Sequence, residues 1–506
     1  MVGLIRKSLK DRGAMRTRKN ILEPPESDQF GRRKKGICSL IIDYGILGLL
    51  IFVPLPAASV REWAVLVIQL VVLIMAIAYV FMPDKPAVNE FLPLVLKRLK
   101  WIFSGLFVIV FFQFLPLPKG LVHILSPSSY SYQEMYAVDF SSRRFISLSI
   151  IPSDTLQKGL ELLTYFLLGF LIIKTVTRRY QIMRILWVLM GMGIFQALYG
   201  MFEIYNKNPR ILFYKKIYNL DSVTGTFVNR NHFSGYLEMI VPLAIGLIIA
   251  RIDPFALKSL SWREKFLRLS EKGLSLNILI SIGVVLMAVA IIFSQSRSGI
   301  FVLVFMFILF FGLTAIYYDI YSFQLKRIKK FLAVSFFVVI LISLYVGINS
   351  ALDRFALDQI LQESRPTYWA KTIDIFSSSP LFGTGLGTFG AIYPPMGSET
   401  GPMTLVHAHN DYLEYLSELG LVGFSLLFGG IFFMAIQSFL VWRKRKHFEV
   451  RGLALGGLIA IICILVHSLT DFNLHIPANM VLFSVVLPLT MVLVYFRRSA
   501  TPSGKK

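Results

Sequence analysis

Apolar residues in this chain come in runs of about 20, the length an α-helix needs to cross the hydrocarbon core of a bilayer, and the runs recur from one end of the sequence to the other. They predict spans near 37–53, 63–82, 101–115, 156–176, 182–203, 235–250, 275–293, 300–318, 331–348, 419–441, 452–469 and 477–496. The fold class expected is therefore all-α, a polytopic transmembrane bundle of about twelve helices. Three polar stretches between spans are long enough to hold a function: 116–155, 204–234 and 349–418. Within the largest, a helix should open at Arg365-Pro366, where proline suits a first turn, and stop before Pro380. A glycine-rich stretch from Gly383 to Gly390 reads as a flexible turn. A second helix should begin near Asp411, whose spacing to Glu414 is that of a capping box, with Gly420 separating it from the tenth span. No internal repeat or matching pair of halves is visible.

Composition agrees with this pattern and charge orients it. Of 506 residues, 55% are hydrophobic and 16% charged, and the mean hydropathy is +0.65, which excludes an ordinary water-soluble domain. The net charge is +23. With the N-terminus inside, roughly 38 of the 52 Lys and Arg fall on the cytoplasmic side, as positively charged loops resist translocation. The clusters Arg32–Lys35, Lys326–Lys330 and Arg443–Lys446 then share that side. This predicts a cytoplasmic basic tail 1–36, a transmembrane domain 37–496 with the 349–418 loop outside, and a cytoplasmic tail 497–506. Basic runs beside spans suit membrane lipids with anionic headgroups, and no nucleic-acid partner is expected. The first apolar segment lacks a small-residue cleavage site and reads as a retained helix. Cys38 and Cys463, at the edge of one span and inside another, make no disulfide framework.

The segment His407-Ala408-His409-Asn410-Asp411 is the richest in chemistry. A histidine titrates near neutral pH and can take a proton from a hydroxyl nucleophile; the bland reading is that His409 and Asn410 only satisfy a helix start. A metal site is not expected, because His-x-His lacks an evident third ligand. Arg297, the one charge in the short turn Ser294–Gly299, either snorkels to the interface or binds an anion, since guanidinium grips diphosphate oxygens bidentately. Arg365 can add a second contact. The Gly383–Gly390 run is no dinucleotide fingerprint, because no βαβ unit surrounds it. Asn229-Arg230-Asn231-His232 and the group His467, Asp471, Asn473 and His475 complete a polar inventory that would form a wet cavity if it converged.

At these residues the sequence resembles the O-antigen ligase and O-antigen polymerase superfamily of bacterial envelope glycosyltransferases. The resemblance rests on Gly225-Thr226-Phe227-Val228-Asn229-Arg230-Asn231-His232-Phe233, on Ser296-Arg297-Ser298-Gly299, and on Arg365-x-x-x-Trp369 followed by Pro380-Leu381-Phe382-Gly383-x-Gly385. His409-Asn410-Asp411-Tyr412-Leu413 with Glu418-Leu419-Gly420, then Asp471-Phe472-Asn473-Leu474 with Pro477, complete it. The resemblance implies a metal-independent, cofactor-free glycosyltransferase of the multi-helix GT-C type in the bacterial inner membrane. Such an enzyme takes a glycan from undecaprenyl diphosphate at the outer face and passes it to lipid A–core, to a glycan or to a protein hydroxyl. It implies further that His409 is the essential outer-loop histidine and that Arg297 and Arg365 serve the diphosphate. Asn229, Asn231, His407, Asn410 and Asp471 are the accompanying candidates for substrate contacts. Two readings from other classes remain: a small-anion transporter or channel, and a non-catalytic scaffold for envelope assembly.

Overall fold

The computed structural model describes residues 36–86, 92–206, 209–251, 272–318, 323–346, 364–396 and 405–496. Both expected tails apart from Gly36, the Arg32–Lys35 cluster, the last two residues (347–348) of the expected ninth span, and segments 349–363 and 397–404 of the expected large loop lie outside the described residues.

Helices occupy all twelve expected span positions: α1 (Ile37–Phe52), α2 (Glu62–Val80), α3 (Leu92–Phe114), α6 (Pro152–Thr175), α7 (Arg179–Ile204), α8 (Arg230–Arg251), α9 (Lys272–Phe293), α10 (Arg297–Tyr317), α11 (Phe323–Val346), α14 (Asp411–Trp442), α15 (Phe448–His467) and α16 (Pro477–Tyr495). Among the described residues, four more lie between them: α4 (Lys119–Leu125), α5 (Pro127–Tyr136), α12 (Arg365–Ser378) and α13 (Phe389–Met396). Among the described residues, nine helices are long and apolar enough to cross a membrane. Of the other three, α1 has only 16 residues, and α3 and α11 carry Lys and Arg in their first halves. That is why 101–115 was too short an expectation for α3. Lys97, Arg98 and Lys100 depress the hydropathy without stopping the helix, which starts at Leu92. The described strands are two short antiparallel pairs, β1 (Pro116–Pro118) with β2 (Phe145–Ser147), and β3 (Arg210–Ile211) with β4 (Tyr214–Lys215).

The centre of the bundle is α8, α15 and α16. The apolar window of α8 is wholly buried and that of α16 is 94% buried, against 33% for α2 at the periphery. The seam between α8 and α15 is made of small residues. A Cβ on Gly246 would sit 2.7 Å from the Gly452 carbonyl oxygen, and one on Gly456 would sit 2.4 Å from that of Pro242. Only hydrogen fits there, so the two backbones touch and gain dispersion contact along their length, the force that joins helices where water supplies no hydrophobic drive.

The starts of α8, α10 and α14 meet the α15–α16 turn at one end of this core, and α12 bonds to the loop before α14 there. Near that end the chain departs from two expectations. The Gly383–Gly390 run is not a flexible turn: Thr384, Leu386, Thr388 and Phe389 are buried, and Thr384 and Gly385 donate backbone hydrogen bonds to Ser417 and Glu418 at 3.0 Å each. Gly383, at φ +66°, passes so close that a Cβ would lie 2.3 Å from the Glu418 oxygen. Gln113, buried at the end of α3, clamps the same turn, donating to the carbonyls of Phe382 (2.7 Å) and Glu418 (2.8 Å) and accepting from Leu386 N–H (3.2 Å). The second departure is the cap of α14. Asn410 is the N-cap, its side chain accepting from Tyr412 and Leu413 N–H at 3.0 and 3.1 Å, so the expected Asp411–Glu414 capping box does not form. As expected, Gly420 divides α14, with φ +63° and ψ −179° inside an otherwise helical run.

Candidate functional site

His409 sits on the short loop before α14 with φ +51°, a left-handed conformation that costs a non-glycine residue about 1 kcal/mol or more. Neighbouring elements hold it there. Asn410 caps α14 and donates to the Leu469 carbonyl at 2.9 Å, while Trp369 of α12 donates its indole N–H to the His409 carbonyl at 3.3 Å. The imidazole Nδ1 lies 3.2 Å from Asp471 Oδ1, and the ring meets Phe472 edge-on with centroids 4.8 Å apart. With Nδ1–H given to the carboxylate, Nε2 is the nitrogen left to exchange a proton with a reacting group, and the side chain is 26% exposed.

Asp471 is fully buried in the α15–α16 turn. Burial works against its ionisation, but hydrogen bonds and charges from His232 and His409 overcome that and hold the carboxyl well below the usual carboxylate range. His232 Nε2 lies 3.7 Å from the same oxygen, and Phe472 N–H donates to it at 2.9 Å. The acceptor that orients His409 is thus a fixed anion.

A second network stands beside it. His407 Nδ1 lies 2.7 Å from Glu414 Oε1, and its ring stacks on Phe472 at 4.1 Å. Glu414 Oε2 accepts from Ala408 N–H at 2.8 Å, which pins the backbone just before His409. His475 bridges Asp411 (2.7 Å) and Glu414 (3.4 Å). Burial lowers its pKa, but Glu414, Asp411 and Glu418 outweigh this and push it up to about 9, so His475 is a cation at neutral pH. The two histidines of His-x-His therefore address different carboxylates. Among the described residues, no three His, Cys, Asp or Glu side chains are grouped to hold a metal ion.

Arg297 and Arg365, far apart in sequence, line one pocket together with Arg230, Asn231, Gln295 and Ser298. Two hydrogen bonds tie that pocket to the histidine. Ser298 Oγ is 2.8 Å from Thr470 Oγ1, next to Asp471, and Trp369, one turn along α12 from Arg365, holds the His409 carbonyl. Asn229 is not a pocket wall; its side chain accepts from Asn231 N–H at 2.8 Å and shapes the entry to α8. Arg230 was legible only as part of a motif, and the roles of Glu414, Asp411, His475 and Phe472 were missed. The signal for Asp411, Glu414 and His475 was polar residues at consecutive turns of α14 and in the turn after α15, which periodicity alone cannot join.

A histidine oriented by a buried carboxylate, next to a cluster of guanidinium groups, is equipped to deprotonate a hydroxyl beside a bound anion. Residues 282–428 match the family model described as O-antigen ligase. That segment of the chain is similar to the O-antigen ligase family. No curated protein matches the chain. The O-antigen ligase segment takes in Arg297, Arg365, His407, His409 and Asn410, whereas Asn229, Arg230, Asn231 and Asp471 come from outside it. The family carries glycosyltransferase-type activity in O-antigen ligation or polymerisation, and its glycan and lipid-linked substrates suit a multi-pass membrane protein with these helices.

Proposed function

We propose that this protein transfers an oligosaccharide from undecaprenyl diphosphate to an acceptor hydroxyl at the outer face of the bacterial inner membrane, without a metal. The observation that carries the reading is the His409–Asp471 pair beside a pocket of arginines within and around the O-antigen ligase segment. His409 Nε2 takes the acceptor proton as the hydroxyl oxygen attacks the anomeric carbon. The bond from that carbon to the diphosphate breaks, and the electron pair leaves on the oxygen of the diphosphate, which Arg297 and Arg365 hold. Asp471 acts as a positioning residue that keeps the imidazole in the reactive tautomer. Acceptor candidates are lipid A–core, a glycan chain and a protein hydroxyl. The fold proposed is a twelve-span bundle of GT-C type with α12 and α13 facing the periplasm.

The test is transfer by the purified protein from a lipid-linked oligosaccharide, with and without EDTA. Arg297→Gln and Arg365→Gln should each weaken both donor binding and the chemical step, by about 10-fold or more, and Lys at either position should recover little, since a point charge lacks the planar fork. Loss of transfer on chelation, restored by a divalent ion, would sink the metal-free account. Anion uptake without transfer would favour transport. For orientation, a cysteine at exposed Ser377 should react with an impermeant reagent on intact cells, whereas Cys38, at the other end of the bundle, should react only after the membrane is opened; the reverse would overturn the topology.

A further inference from the structure

We propose that Arg230 is a third anion-binding residue of the pocket, matched to the diphosphate once the glycosyl bond has broken; this rests on the transfer reading above. Each of the three arginines is the first residue of its helix: Arg230 of α8, Arg297 of α10 and Arg365 of α12. A cation is disfavoured at a helix N-terminus, by about 0.3–1 kcal/mol, because the unpaired N–H groups there already make it positive. Three helices bring that same unfavourable arrangement to one pocket. The helix field works against a cation there and for an anion. On an anion in this pocket, three N-terminal fields and three guanidinium groups act together.

Arg230 is held in place by its own helix. Asn229 Oδ1 accepts from Asn231 N–H at 2.8 Å and the Asn229 carbonyl accepts from Phe233 N–H at 3.1 Å. The first turns of α8 and α10 are in contact: a Cβ on Gly299 would lie 2.6 Å from Ser234 Oγ. Arg230 and Arg297 are therefore presented from two fixed backbones.

The chemistry accounts for a third cation. A donor diphosphate, esterified at both ends, carries one ionised oxygen on each phosphorus, which Arg297 and Arg365 can match. Transfer forms the bond from the acceptor oxygen to the anomeric carbon and breaks the bond to the diphosphate. The acceptor proton goes to His409 and the electron pair to the diphosphate, which gains one unit of negative charge. Arg230 meets that added charge, so the pocket holds the released diphosphate more tightly than a monophosphate.

The probe is inorganic pyrophosphate, with inorganic phosphate as reference, binding to the full-length protein in lipid nanodiscs. Wild type should prefer pyrophosphate, Arg230→Gln should weaken that binding by about 10- to 100-fold, and His409→Gln should leave it unchanged. Arg230→Gln binding pyrophosphate as wild type does would overturn the inference, as would equal binding of the two anions by wild type. If Arg230→Gln is unstable on thermal melting, Arg230→Lys decides: weaker pyrophosphate binding supports the assignment and unchanged binding refutes it. Absence of glycosyl transfer in wild type would count against the proposed function alone, since this comparison requires no turnover.

Discussion

At the end of the bundle opposite the site, arginines bond to the carbonyls that close helices. Arg451 donates to Tyr317, the last residue of α10, and lies 4.0 Å over the Tyr318 ring, while Arg445 donates to Val494 in the last turn of α16 at 2.5 Å. Arg179 pairs with Glu449 at 2.6 Å. Arg451 and Arg445 thus lie against the negative ends of α10 and α16, where dipole and hydrogen bond both favour them, whereas Arg179, the first residue of α7, is neutralised by Glu449. At the site end the arginines head α8, α10 and α12, where the dipole opposes them, and the carboxylates there are paired with histidines. The same residue type thus reaches helix C-termini through hydrogen bonds at one end and gathers three helix starts around one pocket at the other.

The comparison breaks most visibly in turnover. His409→Ala should lower it by about 10²- to 10⁴-fold, and Asp471→Asn, which removes the anion holding Nδ1–H, by at least about 10-fold. In both, donor affinity should stay close to wild type, while Asp471→Asn should also lower thermal stability because it removes the buried anion paired with His232 and His409, so turnover of the folded fraction and donor binding measured side by side decide it. Full turnover in His409→Ala would end the base assignment. At the opposite end the expected effect changes kind. Arg451→Ala loses a charged hydrogen bond and a ring contact, worth about 2 kcal/mol together, and should lower thermal stability while the folded fraction keeps its activity. A loss of specific activity with unchanged stability would erase the distinction between the ends.

The smallest effect expected is a pH dependence from His475. Its folded pKa, about 9, lies above the ordinary histidine value of about 6.5, so protonation favours the fold. That contribution is complete below about pH 6.5 and is lost as pH rises through about 9. Thermal stability of wild type should fall between pH 7 and 10, and His475→Gln should show a flatter profile. Parallel profiles for the two proteins would remove His475 from the network's energetics.

Local sequence was sufficient for the spans, because each hydrophobic run meets its own requirement for backbone satisfaction and apolar burial within one helix. Their order, Gly420 as a break, Arg365-Pro366 as a helix start and the motifs around Arg297 and His409 were legible for the same reason: each depends on neighbours in the chain. The limits of α3 were not, since Lys97, Arg98 and Lys100 hide a helix from hydropathy. What only the tertiary structure decided lies between elements. Asp471 meets His409 across 62 residues, Arg230 reaches the pocket of Arg297 and Arg365 from another helix, and the Gly383–Gly390 turn is rigid because Gln113, 273 residues from Leu386, anchors it. Such pairings follow from how packed helices place their ends, and a linear pattern of hydrophobic and polar residues contains no term for that.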